Sequence, residues 1–152
     1  MVSRISHDVV VSRFQAILTS FDFSIEWLIL GIGRLHVFKR KKALRELYAL
    51  YIALWNLALE KSFPDDSKAI LALFMDRAPG LLRYAKKDAT LLTMRVEVYT
   101  TLLAEFKDSN FSEVASNFLT SLIPPAQLDK SRILKLSLHI RKIYTFIFDT
   151  LI

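Results

Sequence analysis

The sequence feature that most constrains the fold is the uncharged run 47–59, which lies within a longer helical segment at residues 42–61. Apolar side chains recur there at spacings of three and four, as one face of a helix requires: Leu44, Leu47, Tyr48, Tyr51, Leu54, Trp55 and Ala58. The opposite face also stays apolar through its middle turns. We therefore predict a helix that is buried on most sides, at the centre of a helical bundle or against a partner.

This run is too short to cross a bilayer, because a spanning helix needs about 20 consecutive apolar residues. The chain contains only 3 Gly and 4 Pro, which favours long helices, and it contains no Cys for disulfides or thiolate metal sites. We predict one all-α domain over residues 1–152, a bundle of about six or seven helices without a transmembrane span. The first residues lack a signal-peptide pattern, so a cytoplasmic location is expected.

Capping residues locate several of these helices. The first should begin after Ser6, with Asp8 in its first turn, and the last should be helical from Asp129 onward. The second is expected to continue past Gly31 and Gly33 towards residue 38. That glycine pair indicates close helix packing or a kink, since a phosphate-binding loop would need a preceding strand and a third glycine.

Charge is distributed unevenly along the chain. Residues 1–45 hold eight Lys or Arg against three Asp or Glu, and residues 130–152 hold five against one. The densest cluster, residues 39–42, is expected to connect the second helix to the central one. The basic residues that could form one phosphate-contacting patch are Arg34, Lys39, Arg40, Lys41, Lys42, Arg45, Lys135, Arg141 and Lys142. The alternative is a solvated connector that keeps an apolar protein soluble.

The chain also carries more apolar residues than a monomer of this size needs. Hydrophobic residues make up 53% of it, and its mean hydropathy is +0.31. A second subunit, a partner helix or an apolar ligand is expected to cover the surplus. The candidate residues for that interface or pocket are Tyr48, Tyr51, Trp55, Ile140, Ile143 and Ile147.

Motifs for chemistry are sparse. His7, His36 and His139 lie far apart in the sequence and match no recognisable metal-ligand spacing, and no nucleophile motif or phosphate-binding loop is present. We therefore predict no cofactor, no metal and no catalytic residue. In length and helicity the chain resembles globins, although no histidine falls where a proximal haem ligand is expected. A haem-free, globin-like sensor that binds an acyl-type ligand remains open.

One spacing does point to an enzyme. Arg132 and His139 lie seven residues apart, on the same face of the last helix. This pair is similar to the motif of HEPN-type ribonucleases, all-helical dimers in which an arginine and a histidine act at the scissile phosphate. The residue after the arginine is Ile133, where a polar residue is common in that family. The alternative is a solvated basic stripe along the helix.

The sequence therefore leaves several function classes open. The first is a non-catalytic interaction, adaptor or regulatory module that forms a homodimer or binds a protein partner through surplus apolar surface. The second is a module that binds nucleic acid or an anionic surface through the basic patch. The others are a sensor of an apolar small ligand and, last, a ribonuclease.

Overall fold

The described residues of the computed structural model, 6–33, 35–107 and 110–151, are almost entirely helical and contain no strand. They form seven α-helices and one short 3₁₀ turn at Pro125–Gln127. In chain order the helices are α1 (His7–Ser20), α2 (Ser24–Leu30), α3 (Val37–Ser62), α4 (Ser67–Leu82), α5 (Lys86–Phe106), α6 (Ser112–Leu122) and α7 (Lys130–Asp149). The predicted all-α bundle is therefore confirmed.

Helix α3 is the centre of the bundle. It packs against α1, α4, α5, α6 and α7. Every residue from 49 to 59 is buried, which no amphipathic surface helix could be. The central helix predicted at residues 42–61 is thus present, but it begins five residues earlier, at Val37.

Because α3 begins earlier than predicted, the basic cluster at residues 39–42 lies inside this helix and not before it. Helix α2 ends at Leu30, because Gly31 adopts the left-handed conformation (φ 67°) that closes a helix C-terminus. The expectation that α2 continues towards residue 38 was wrong, and so was the assignment of residues 39–42 to a connector. These four residues lie in the first two turns of α3. As consecutive residues of a helix, they point their side chains in successive directions around the helix axis and not all to one side.

The predicted starts of the first and last helices are confirmed, and each start has a side-chain cap. Ser6 Oγ accepts a hydrogen bond from the backbone N–H of Asp8, and the Asp129 carboxylate accepts one from the N–H of Arg132. Each bond satisfies a donor that the first turn of a helix otherwise leaves unpaired. These local bonds explain why the sequence alone located both helix starts.

Contacts between helices show that α3, α5 and α7 begin at the same end of the bundle. Arg45, in the third turn of α3, pairs with Asp88 in the first turn of α5. On α7, His139 lies in one cluster with Tyr51, and Tyr144 lies near Lys61 at the far end of α3. Helix α7 therefore runs roughly parallel to α3, and α5 begins beside the third turn of α3. Three helix N-termini, each the positive end of a helix dipole, thus lie at this end.

Candidate functional site

The candidate site lies at the end of the bundle where α2 gives way to α3. Residues 35–39 are all exposed, so the first turn of α3 and the residue pair before it protrude from the packed helices. Arg40 is the exception, since its guanidinium lies 4.5 Å from the centre of the Trp27 ring. This cation–π contact holds α2 against the first turn of α3.

Large apolar side chains are exposed at this end. Leu35 is 94% exposed, Phe38 89% and Leu28 82%, and Val37 is also open to solvent. We call these four residues, together with the exposed Lys39, Lys41 and Lys42, the α2–α3 surface. Single exposed leucines are common on proteins, but four large exposed apolar residues within eleven residues of the chain indicate a surface with a binding role.

Neighbouring helices add further charge. Arg132 and Lys135 of α7 line a groove with Leu28 and Ile29 of α2, in which Asp129 supplies the carboxylate. Lys87 and Asp88 of α5 lie beside Lys41, Lys42 and Arg45 of α3. The nine-residue basic patch predicted from sequence is therefore only partly brought together.

The structure separates the members of that predicted patch. Lys39, Arg40, Lys41, Lys42, Arg45 and Lys135 lie at the α2–α3 end. Arg141 lies instead 5.7 Å from the Phe111 ring, beside the start of α6, and Lys142 follows it in the second half of α7. Arg34 lies outside the described residues. Lys87 is not among the predicted residues, because a contribution from α5 could be expected only once α5 was known to begin beside α3.

The predicted apolar interface or pocket residues lie within the chain's own core. Tyr51, Trp55, Ile140 and Ile147 are at most 1% exposed, while Tyr48 and Ile143 are partly buried and pack against the same core. Side chains this deeply packed present no surface to a partner. A largely apolar groove of about 360 Å³ lies elsewhere, between α6 and α7 beside Phe111, Leu134 and Leu138.

The Arg132 and His139 pair does not open onto a common site. His139 is 10% exposed, and its Nε2 donates a hydrogen bond to the carboxylate of Glu26 on α2. Tyr51 of α3 donates a second hydrogen bond, of 2.7 Å, to the same oxygen. Arg132 instead lines the groove with Leu28. His139 and Tyr51 thus connect α7 and α3 to α2 through Glu26. This Glu26 cluster sets the position of α2 beneath the α2–α3 surface.

The Glu26 cluster makes a pH-dependent contribution to stability. Burial raises the pKa of the Glu26 carboxyl, but hydrogen bonds from His139 and Tyr51 outweigh burial and leave that pKa below its ordinary 4.5. A pKa that is lower in the folded state contributes stability above pH 4.5, and this contribution is lost as the pH falls through the folded-state pKa.

We expect Glu26→Gln to lower the free energy of unfolding at neutral pH by about 1.5–3 kcal/mol, because two buried donors lose a charged acceptor. Urea denaturation of both proteins at stepwise lower pH checks this. The difference between them should shrink below pH 4.5, and a difference that stays constant down to the acid transition would contradict the assignment. Glu97→Gln, at an exposed carboxylate on α5, is the control.

A second buried cluster fixes α5 against α3. The Glu46 carboxylate, only 3% exposed, accepts hydrogen bonds from Arg95 Nε at 2.9 Å and from the Tyr99 hydroxyl at 2.6 Å. Arg95 also donates to Asn117 of α6 at 2.8 Å. Burial, with the nearby Glu46 charge, raises the pKa of Tyr99 well above its usual range, so Tyr99 stays a donor. The cluster thereby places the first turn of α5 beside Arg45.

Among the described residues, no group of acidic and histidine side chains is arranged to hold a metal ion. Within the same ranges, no helix is both long and apolar enough to cross a membrane. Comparisons of the chain with protein-family models, with curated proteins and with solved structures found no match.

Proposed function

We propose that the chain is a non-catalytic module that docks on an anionic membrane surface through the α2–α3 surface. The observation that carries this proposal is the placement of exposed Leu35, Val37 and Phe38 directly before three exposed lysines, on a protruding helix tip. The apolar side chains would enter the boundary between headgroups and acyl chains. The lysines would remain at the level of the anionic headgroups.

Energetics explain why both kinds of residue are needed. Three lysines near an anionic bilayer contribute about 3 kcal/mol in total, which alone corresponds to binding weaker than about 1 mM. Full burial of a leucine or phenylalanine side chain contributes about 1.5–3 kcal/mol. Partial insertion of the apolar side chains of this tip therefore adds an amount comparable to the lysines, and the two together give useful affinity.

The composition of the tip favours a membrane over nucleic acid. Lysines suit phosphates of either kind, but single-stranded nucleic acids are bound on several stacking aromatic rings. Here Phe38 is the one aromatic side chain among the exposed apolar residues of the tip, and the others are aliphatic. Aliphatic side chains gain free energy from hydrocarbon, whereas against a nucleic-acid backbone they gain little.

Self-association through α7 is supported less well. Leu134 and Leu138 are exposed on that helix, but its flanking charges are nearly all positive, five Lys or Arg against the single Asp149 over residues 130–152. Two copies that paired along α7 would bring like charges together. The dimer stays a prediction, which native mass spectrometry at two protein concentrations tests.

The docking proposal is tested with the double variant Leu35→Ser/Lys39→Gln. We expect it to bind mixed phosphatidylcholine and phosphatidylserine vesicles roughly thirtyfold more weakly, from about 1 kcal/mol each for the lysine and the half-inserted leucine. Co-sedimentation measures the binding. Met94→Ser/Lys68→Gln removes the same kinds of exposed side chain from α5 and α4, outside the α2–α3 surface, and should bind as the unmodified protein does.

Two outcomes would contradict the proposal. One is the absence of a preference for the mixed vesicles over vesicles of phosphatidylcholine alone, whether the protein binds both equally or binds neither. The other is binding to single-stranded RNA that exceeds vesicle binding at the same salt concentration and is lost in the same variant.

A further inference from the structure

We infer that a notch beside the α2–α3 surface binds the phosphate of a phosphomonoester lipid headgroup; this inference rests on the docking function proposed above. The notch, of about 360 Å³, lies between the first turns of α3 and α5. Four cations line it: Lys41, Lys42, Arg45 and Lys87. We call it the α3–α5 notch.

The charge of the notch is not balanced by its own residues. Asp88 is the carboxylate that lines it, and this group forms ion pairs with Arg45 at 3.4 Å and with Lys41 at 3.9 Å. One negative charge against four positive charges leaves an excess of three. A phosphomonoester carries about −1.5 to −2 near neutral pH, whereas the phosphodiester of an ordinary phospholipid carries −1. The more highly charged group therefore matches the notch better.

Arg45 supplies a donor that no described residue uses. Its side chain is mostly buried and one terminal nitrogen is engaged by Asp88, yet its Nε is buried without a hydrogen-bond partner among the described residues. A buried donor left unpaired costs about 1–3 kcal/mol. Arg45 also lines the notch, and its planar guanidinium suits phosphate in a way that a lysine ammonium does not.

The position of the notch argues for a lipid as the source of that phosphate. Phe38, one of the apolar residues of the tip, also forms part of the notch wall, as does Leu91 of α5. When Phe38 lies at the acyl boundary, Lys41 and Lys42 follow it by one turn of α3, about 5 Å further along the axis. This is the depth of the headgroup layer, so the notch faces the phosphates of the bilayer surface.

The charge-preserving variant Arg45→Lys tests the inference. Binding is measured to two sets of phosphatidylcholine vesicles, one with phosphatidic acid and one with phosphatidylserine, adjusted to the same zeta potential. We expect the unmodified protein to prefer the phosphatidic acid vesicles by roughly tenfold, and Arg45→Lys to lose most of this preference. Its binding to phosphatidylserine vesicles should change less than twofold, because the net charge is the same. Lys68→Arg, at an exposed position of α4 outside the notch, is the matched control.

The outcomes separate the notch from the docking function. If the unmodified protein binds both kinds of vesicle equally well, the notch inference fails and the docking proposal stands. If it binds neither, both fail. A parallel fall in binding to both lipids in Arg45→Lys would also overturn the inference. If thermal denaturation shows that Arg45→Lys is unfolded, Lys87→Gln against Lys68→Gln repeats the comparison at an exposed position, with the same expected loss of preference.

Discussion

Replacing Arg95 with methionine is expected to lower the free energy of unfolding by about 3–5 kcal/mol near neutral pH. The substitution keeps most of the side-chain volume but removes the cation that faces Glu46, whose carboxylate is 3% exposed. Tyr99 remains as one donor, so a buried negative charge is left with a neutral partner. Urea denaturation followed by far-UV circular dichroism measures the loss.

Two further variants show whether the unpaired charge causes that loss. Arg13→Met makes the same change on the exposed side of α1 and should alter stability by no more than about 0.5 kcal/mol. Adding Glu46→Gln to Arg95→Met should restore part of the lost stability, because the buried group is then neutral. A double variant less stable than Arg95→Met alone would show that packing, rather than charge, dominates at this position.

The Glu46 cluster also connects the core to the proposed function. Glu46 is the immediate neighbour of Arg45 on α3, and Arg95 lies two turns after Asp88 on α5. Hydrogen bonds through Glu46 therefore set where the first turn of α5 lies relative to Arg45. We expect variants of this cluster that still fold to weaken the preference for phosphomonoester lipid without removing an exposed cation.

Local signals were sufficient to predict the helices whose ends are capped by side chains. Ser6 and Asp129 each mark a helix start with a hydrogen bond to a nearby backbone N–H. The start of α3 carries no such side-chain cap, since His36 at that position makes no capping bond. The apolar periodicity also begins only after residue 42. Both facts explain why the sequence placed this start five residues too late.

Contacts between distant residues could not be predicted from a single sequence. Glu26 and His139 lie 113 positions apart, and Glu46 and Arg95 lie 49 apart. In the sequence, each of these residues is what a solvent-exposed helix position would carry. Only the packing of the helices against one another buries Glu26 and Glu46. The signal that existed was a single acid in the otherwise apolar segment of α2, because a charge there must either face solvent or have a partner.

The basic patch shows the same limit on the functional side. Clustering along the sequence predicts residues 39–42 as neighbours at one end of the bundle, and the structure places them in the first two turns of α3. Arg141 and Lys142 are predicted to join them if the basic ends of the chain pack side by side, but these two residues lie about 10 Å further along α7 than Lys135. The exposed apolar side chains could not be located from the sequence either. The sequence predicts surplus apolar surface on the central helix, whereas in the structure the large exposed apolar side chains near α3 are those of Leu28, Leu35, Val37 and Phe38.

Replacing Trp55 with alanine is expected to lower the free energy of unfolding by about 3–5 kcal/mol, since the cavity left behind cannot collapse. Trp55 is 1% exposed, stacks on Phe14 with ring centres 4.2 Å apart, and meets the edge of Phe74 at 5.2 Å. It thus joins α1, α3 and α4. Trp27→Ala, at the partly exposed tryptophan of α2, should cost less, about 1–2 kcal/mol. Far-UV circular dichroism suits both variants, because each removes a fluorophore. Equal losses would contradict the expectation that Trp55, in the central helix, contributes more to stability than Trp27 does.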